Sequence, residues 1–132
     1  MTWNDNLAVG VDLIDNQHKE LFNRIDAFYD SLRQGSDAKK VIDILVYMQN
    51  YVVTHFTAEE GLQRKYSYPK YPDHKKLHDN FVREVNDLKI DIEKNGVTVA
   101  SGSLVGLTLS NWLVNHINVH DKALGNYLKT QV

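Results

Sequence analysis

Between Val41 and Leu62, apolar residues recur in steps of three and four at Val41, Leu45, Met48, Val52 and Leu62, and the same stripe carries His55 and Glu59. Such steps keep one face of an α-helix turned toward a core. A carboxylate on that face constrains the fold more than any apolar residue does. It is almost never buried unless paired or bound to a metal. His55 and Glu59 are four residues apart, so their side chains stand about 40° from each other, one turn apart. The rest of the chain has to supply partners for a His-x-x-x-Glu that faces inward.

Three more stripes can do so. Residues 1–12 show no clear periodicity and read as an extended arm, with Trp3 its one large apolar group. Asp12 is a candidate N-cap and Asp15 favours a first turn. Ile14, His18, Leu21, Ile25, Phe28 and Leu32 then mark a helix over about 13–34, which Gly35 ends. Ser36 or Asp37 can cap the helix that bears His55 and Glu59, about 37–64. Tyr66–Pro72 is a loop by its prolines, and its tyrosines Tyr66, Tyr68 and Tyr71 are expected to pack beneath it. Pro72 and Asp73 suit the first turn of a third helix, about 72–94, with His74, Leu77, His78, Phe81, Val85, Leu88 and Ile92 on one face. Two glycines and two serines make Lys94–Ser103 read as loop, with the next helix free to start anywhere from 98 to 104. A fourth helix over about 102–129 carries Leu109, Leu113, His116, Ile117, Leu124 and Leu128.

With 132 residues and no strand-like alternation, one all-α domain is expected. Short connections favour an antiparallel up-down-up-down four-helix bundle with an extended N-terminal arm. In that topology the starts of the first and third helices meet the ends of the second and fourth. His18, His55, Glu59, His74, His78, His116, His120 and Asp121 then share one end. Without an ion they would leave several polar groups in a dry core, each unpaired group costing roughly 1–3 kcal/mol. The chain has no cysteine, so metal ligands must be His, Asp, Glu or backbone, and there is neither a thiolate site nor a disulfide framework. A net charge of −2 without a basic block argues against nucleic acid or an anionic membrane surface as partner. The absence of a long apolar run argues against a membrane span, and a cytoplasmic setting is expected. Spacing alone leaves the fourth helix open. His120, four residues after His116, faces the same way and is slightly favoured. Asp121, five after it, points about 140° away but aligns with Leu113, Ile117, Leu124 and Leu128.

The run Val9-Gly-Val-Asp-Leu-Ile-Asp-Asn-Gln-His18, with His55-x-x-x-Glu59, His74-x-x-x-His78 and His116-x-x-x-x-Asp121, resembles the bacterial hemerythrins. The likeness extends from Trp3 to about Tyr127. It favours Asp121 over His120 and implies a non-haem di-iron centre. His74, His78 and His116 would bind one iron and His18 and His55 the other. Glu59 and Asp121 would bridge them beside an oxo or hydroxo group. Those ligands fill all but one position of two octahedral irons, leaving a place for O2 on the iron with two histidines. Bundle di-iron oxidases use about four carboxylates and two histidines. Two carboxylates and five imidazoles carry less negative charge, which favours reversible cycling over substrate oxidation. Leu21, Phe56, Trp112, Leu113 and Ile117 neighbour the ligands and resemble the apolar lining of the family's O2 pocket. None of the five is an acid or base. The resemblance therefore implies an O2-binding protein for storage, delivery or buffering, not an enzyme. The alternatives are an O2, redox or iron sensor with a separate partner, and a di-iron enzyme acting on O2, peroxide or nitric oxide.

Overall fold

The computed structural model describes residues 3–35 and 37–131, and among them there are helices and turns but no strand. Four long helical segments pack together: α1 (Asp12–Arg33), α2 (Ala38–Lys65), α3 (Tyr71–Asn95) and a fourth. The fourth is broken into α4 (Val99–His116), a π-helical turn (Ile117–Asp121) and α5 (Lys122–Lys129). Among the described residues, no helix is long and apolar enough to cross a membrane.

Helix ends follow local chemistry. Val11 occupies the N-cap of α1 and Asp12 is its first residue, so the predicted Asp12 cap is displaced by one. Asp15 takes the capping work another way, accepting the backbone N–H groups of Val9 at 2.8 Å and Gly10 at 3.2 Å. Asp37 caps α2 through the N–H of Lys40 at 2.9 Å. Ser36, the other candidate cap, lies outside the described residues. Pro72 is the second residue of α3, whose first turn starts at Tyr71.

The connection into the fourth helix is shorter than the loop read over Lys94–Ser103, and the helix starts near the early end of the range 98–104. The connection is only Gly96-Val97-Thr98, and α4 starts at Val99. Gly96 closes α3 at φ +72°, a left-handed conformation glycine adopts at low cost. Thr98 and Ser101 then form a reciprocal capping box. Gly102 is therefore a packing residue. A Cβ there would meet the Leu32 side chain at 2.5 Å, so its absence lets α4 approach α1 closely.

Neighbouring helices meet with their residue numbers running in opposite directions. Arg24 and Gln17 on α1 meet Tyr47 and His55 on α2. Glu60 and Arg64 on α2 meet His78 and Tyr71 on α3. Leu32 and Tyr29 on α1 lie against Gly102 and Gly106 on α4. The core between them is aliphatic and aromatic, with Ile14, Phe22, Phe28, Val41, Leu45, Val85 and Leu124 all fully buried. In the α2–α3 loop, Tyr68 is buried and its ring lies 5.1 Å from that of Tyr127, while the Tyr127 hydroxyl donates to the Tyr66 carbonyl at 2.6 Å. Tyr66 and Tyr68 are packing residues, whereas Tyr71 begins α3 and its hydroxyl accepts from the exposed Arg64 guanidinium at 3.2 Å.

Candidate metal centre

The polar intruders of the four stripes converge. His18 comes from α1, His55 and Glu59 from α2, His74 and His78 from α3, and all are buried. His116 is the last residue of α4 and Asp121 the last of the π turn, and both are buried as well. The π turn resolves the ambiguity of the fourth helix. Its wider ring, closed by the Lys122 N–H on the Ile117 carbonyl, inserts one residue into the turn. Residues five apart then share a face, and His116 Nε2 lies 3.2 Å from Asp121 Oδ1. His120 is turned out of the cluster. It lines a groove of about 300 Å³ with Tyr68, Lys70, Asp73, His74, Leu77, Val119 and Ala123.

Each carboxylate divides its two oxygens between two sets of histidines. Glu59 Oε1 lies 2.9 Å from His74 Nε2 and 3.3 Å from His78 Nε2. Its Oε2 lies 3.4 Å from His55 Nε2 and 4.0 Å from His18 Nε2. Asp121 repeats the pattern, with Oδ1 3.1 Å from His74 Nε2 and Oδ2 3.0 Å from His18 Nε2. Two donor groups result, each with its ligand atoms within 4.8 Å of one another: Glu59, His74, His78, His116 and Asp121, and His18, His55, Glu59 and Asp121.

The geometry suits cations better than hydrogen bonds. All four carboxylate oxygens, and Nε2 of His18 and His55, are buried without a hydrogen-bond partner despite these short separations. Their separations fit donors gathered around an ion. Nε2 of His116 lies 3.0 Å from that of His74 and 3.1 Å from that of His78. Two donors at right angles around an ion, each about 2.1 Å from it, are about 3.0 Å apart. The cluster is thus able to hold metal.

Electrostatics agree. Burial and the Asp121 charge push the Glu59 carboxyl up, but contacts with His55, His74 and His78 outweigh them and leave it below the usual carboxylate range. Asp121 is also held low: burial raises it, and His116, His18 and His74 more than compensate. Burial lowers His74, yet Asp121 and Glu59 lift it to about 9. His116 is held below its ordinary value, chiefly by burial. Both carboxylates are therefore anionic at neutral pH. Their charge favours the protonated form of the His74 imidazole.

Two residues outside the stripes orient the ligands. His55 Nδ1 donates to Gln17 Oε1 at 2.7 Å, and His78 Nδ1 donates to Glu60 Oε2 at 2.8 Å. A proton held at Nδ1 leaves the Nε2 lone pair free to face the cluster. The sequence signal for both is faint: each adjoins a ligand in the chain but lies off its helix's apolar stripe. Aromatic rings hold the imidazole planes. Phe56 stacks on His78 at 3.7 Å and Trp112 on His116 at 4.4 Å.

Beside the cluster is an apolar cavity of about 10 Å³ lined by Leu21, Ile25, Met48, Val52, Phe56, Phe81, Leu109, Trp112 and Leu113. Four of the five expected pocket residues border it. Ile117 is fully buried but is not among the lining residues. Its N–H still bonds the Leu113 carbonyl, so it keeps helical register with Leu113 and is buried where the π turn opens.

Comparison with known proteins agrees with this geometry. The family model for the hemerythrin HHE cation binding domain matches residues 9–128. The bacteriohemerythrin of Pseudomonas paraeruginosa is 34% identical over 121 residues, covering 92% of this chain and 76% of the relative. The bacteriohemerythrin of Stenotrophomonas maltophilia is 30% identical, covering 100% of this chain and 84% of the relative. A crystal structure of a wild-type hemerythrin superimposes with a TM-score of 0.84 at 30% identity, covering 97% of both chains.

Proposed function

Since the chain belongs to the hemerythrin family, we propose that it binds O2 reversibly at two iron ions held by His18, His55, Glu59, His74, His78, His116 and Asp121. The observation that carries this reading is the division of each carboxylate's oxygens between the two histidine sets, which is what a bridge between two cations requires. His74, His78 and His116 would hold one iron and His18 and His55 the other. Glu59 and Asp121, with an oxo or hydroxo group, would join them. The His18 side has one protein donor fewer, which leaves room there for an external ligand. An iron pair held there would supply the two-electron redox chemistry that reversible O2 binding needs.

The chain's own residues favour binding over turnover. Five imidazoles add no negative charge, so the two carboxylates are the only anionic ligands. Leu21, Phe56, Trp112 and Leu113 form an apolar wall that excludes water and can neither donate nor accept a proton. With no acid or base among them, these side chains would keep protons away from the open side of the site. Gln17 and Glu60 fix the imidazoles so that the site need not reorganise between states. We read the chain as one cytoplasmic, non-enzymatic domain: an up-down-up-down bundle whose N-terminal arm packs Leu7 and Val9 into the core.

The test is spectroscopic. The protein, loaded with iron and reduced without air, should gain a ligand-to-iron charge-transfer band when O2 enters and lose it when O2 is removed. No reversible band, or steady O2 consumption with a reductant, would overturn O2 binding as the function.

A further inference from the structure

From Asn95 to Asn115 the chain contains no Asp, Glu, Lys or Arg, whereas α1, α2 and α3 each carry several. This neutral stretch includes nearly all of α4, Val99–His116. The inner face of α4 is accounted for: Gly102, Gly106, Leu109, Ser110 and Leu113 are buried. Its outer face is not. Ala100, Leu104, Leu107 and Asn111 follow one another in steps of four, three and four, and Val114, half-buried against the core, continues the pattern three residues on. They fall within about 80° of an ideal helix, and the pattern is a heptad seam. Leu104 is 65% exposed and Leu107 50%, and Ala100 and Asn111 are exposed beside them. By contrast, Tyr47, an exposed aromatic on α2, is covered by the Arg24 guanidinium at 3.8 Å.

We propose that this outer face of α4 pairs two copies of the chain about a two-fold axis. Charge selects the occupant. A two-fold contact brings a surface against its own copy, so each charge near the axis meets its like. Here the seam and its flanking positions Ser101, Ser103, Thr108 and Asn115 carry none. An anionic lipid surface or an acidic partner would need basic residues, and this face has none. Asn111 shares a heptad position with Leu104, and a lone Asn there favours two-stranded pairing in a single register at some loss of affinity. At about 1.5 Å per residue the seam is short, so the interface belongs to the small, weakly associating class.

Sedimentation velocity of the full chain from about 10 to about 500 µM brackets the affinities such a contact supports. The mass should rise with concentration from 15.2 kDa toward twice that value. Leu104→Glu with Leu107→Glu should remain at the monomer mass throughout, with unchanged helical circular dichroism, because neither side chain is in the core. Asn111→Leu should tighten association at least tenfold, while Tyr47→Glu should associate as the unmodified chain does. A chain that stays monomeric at the highest concentration, or a double glutamate variant that still dimerises, would overturn the proposal.

Discussion

α3 and the fourth helix each contribute a pair of donors to the same cluster, by different means. α3 is unbroken, and its four-residue step brings His74 and His78 to 2.9 and 3.3 Å from Glu59 Oε1. The fourth helix must present His116 and Asp121, five residues apart, and on an ideal helix they would diverge by about 140°. It does so by opening a π turn across Ile117–Asp121. Where donor spacing matches the helical period, regular backbone suffices. Where it does not, the backbone changes and the donors keep their positions. Inserted π turns are rare and gather at functional sites, consistent with that order of priority.

Substitution in the fourth helix should have the largest effect. Asp121→Ala should lose bound metal, whereas His120→Ala should keep two irons per chain. A sharper variant combines His120→Asp with Asp121→Ala, restoring the four-residue step used in α3. Residue 120 faces the groove, so this chain should also fail to hold two irons; two irons by elemental analysis would mean that spacing, not the π turn, governs the site. Next in size is Glu59→Gln. A neutral amide bridges two cations poorly, so iron content should drop below that of the unmodified chain, and an unchanged stoichiometry would refute the bridging role.

Orienting residues should matter less than ligands. Gln17→Ala and Glu60→Ala each remove the acceptor of one Nδ1 proton, and metal affinity should fall about 10–100-fold by chelator competition. Acidity offers a gentler perturbation. The His74 imidazole, lifted to about 9 in the metal-free protein, must shed a proton to become a ligand. Apparent metal affinity should therefore rise with pH up to about 9, with proton release on loading; a flat profile from neutral pH to 9 would count against it. The sign for folding is opposite. A raised imidazole stabilises the metal-free fold most fully below its ordinary value near 6.5, and that contribution fades as pH climbs through about 9. The smallest effect belongs to the end of α4 away from the cluster. Gly102→Ala should lower stability by about 1–3 kcal/mol through overpacking against Leu32, seen as a lower Tm, with metal stoichiometry unchanged.

The same contrast explains what could be read before any coordinates. His55 with Glu59, and His74 with His78, were legible because they follow the period of an ideal helix, and a carboxylate in an apolar stripe demands a partner. Asp121 was not legible from spacing, because a fixed 100° per residue turns it away and favours His120; only likeness to a known family pointed to it. Gly102, Ser101 and Ser103 read as loop by propensity, but tertiary packing and a capping box hold the first two in α4. Gln17 and Glu60 escaped notice because residues that steady a ligand sit beside the stripe, where polar side chains are ordinary.

The central claim is that two carboxylates, each shared between two histidine sets, create places for two cations. Iron content per chain, measured on protein purified without added metal, tests it most directly. The account predicts two irons for each polypeptide. A single ion per chain, or zinc in place of iron, would contradict it.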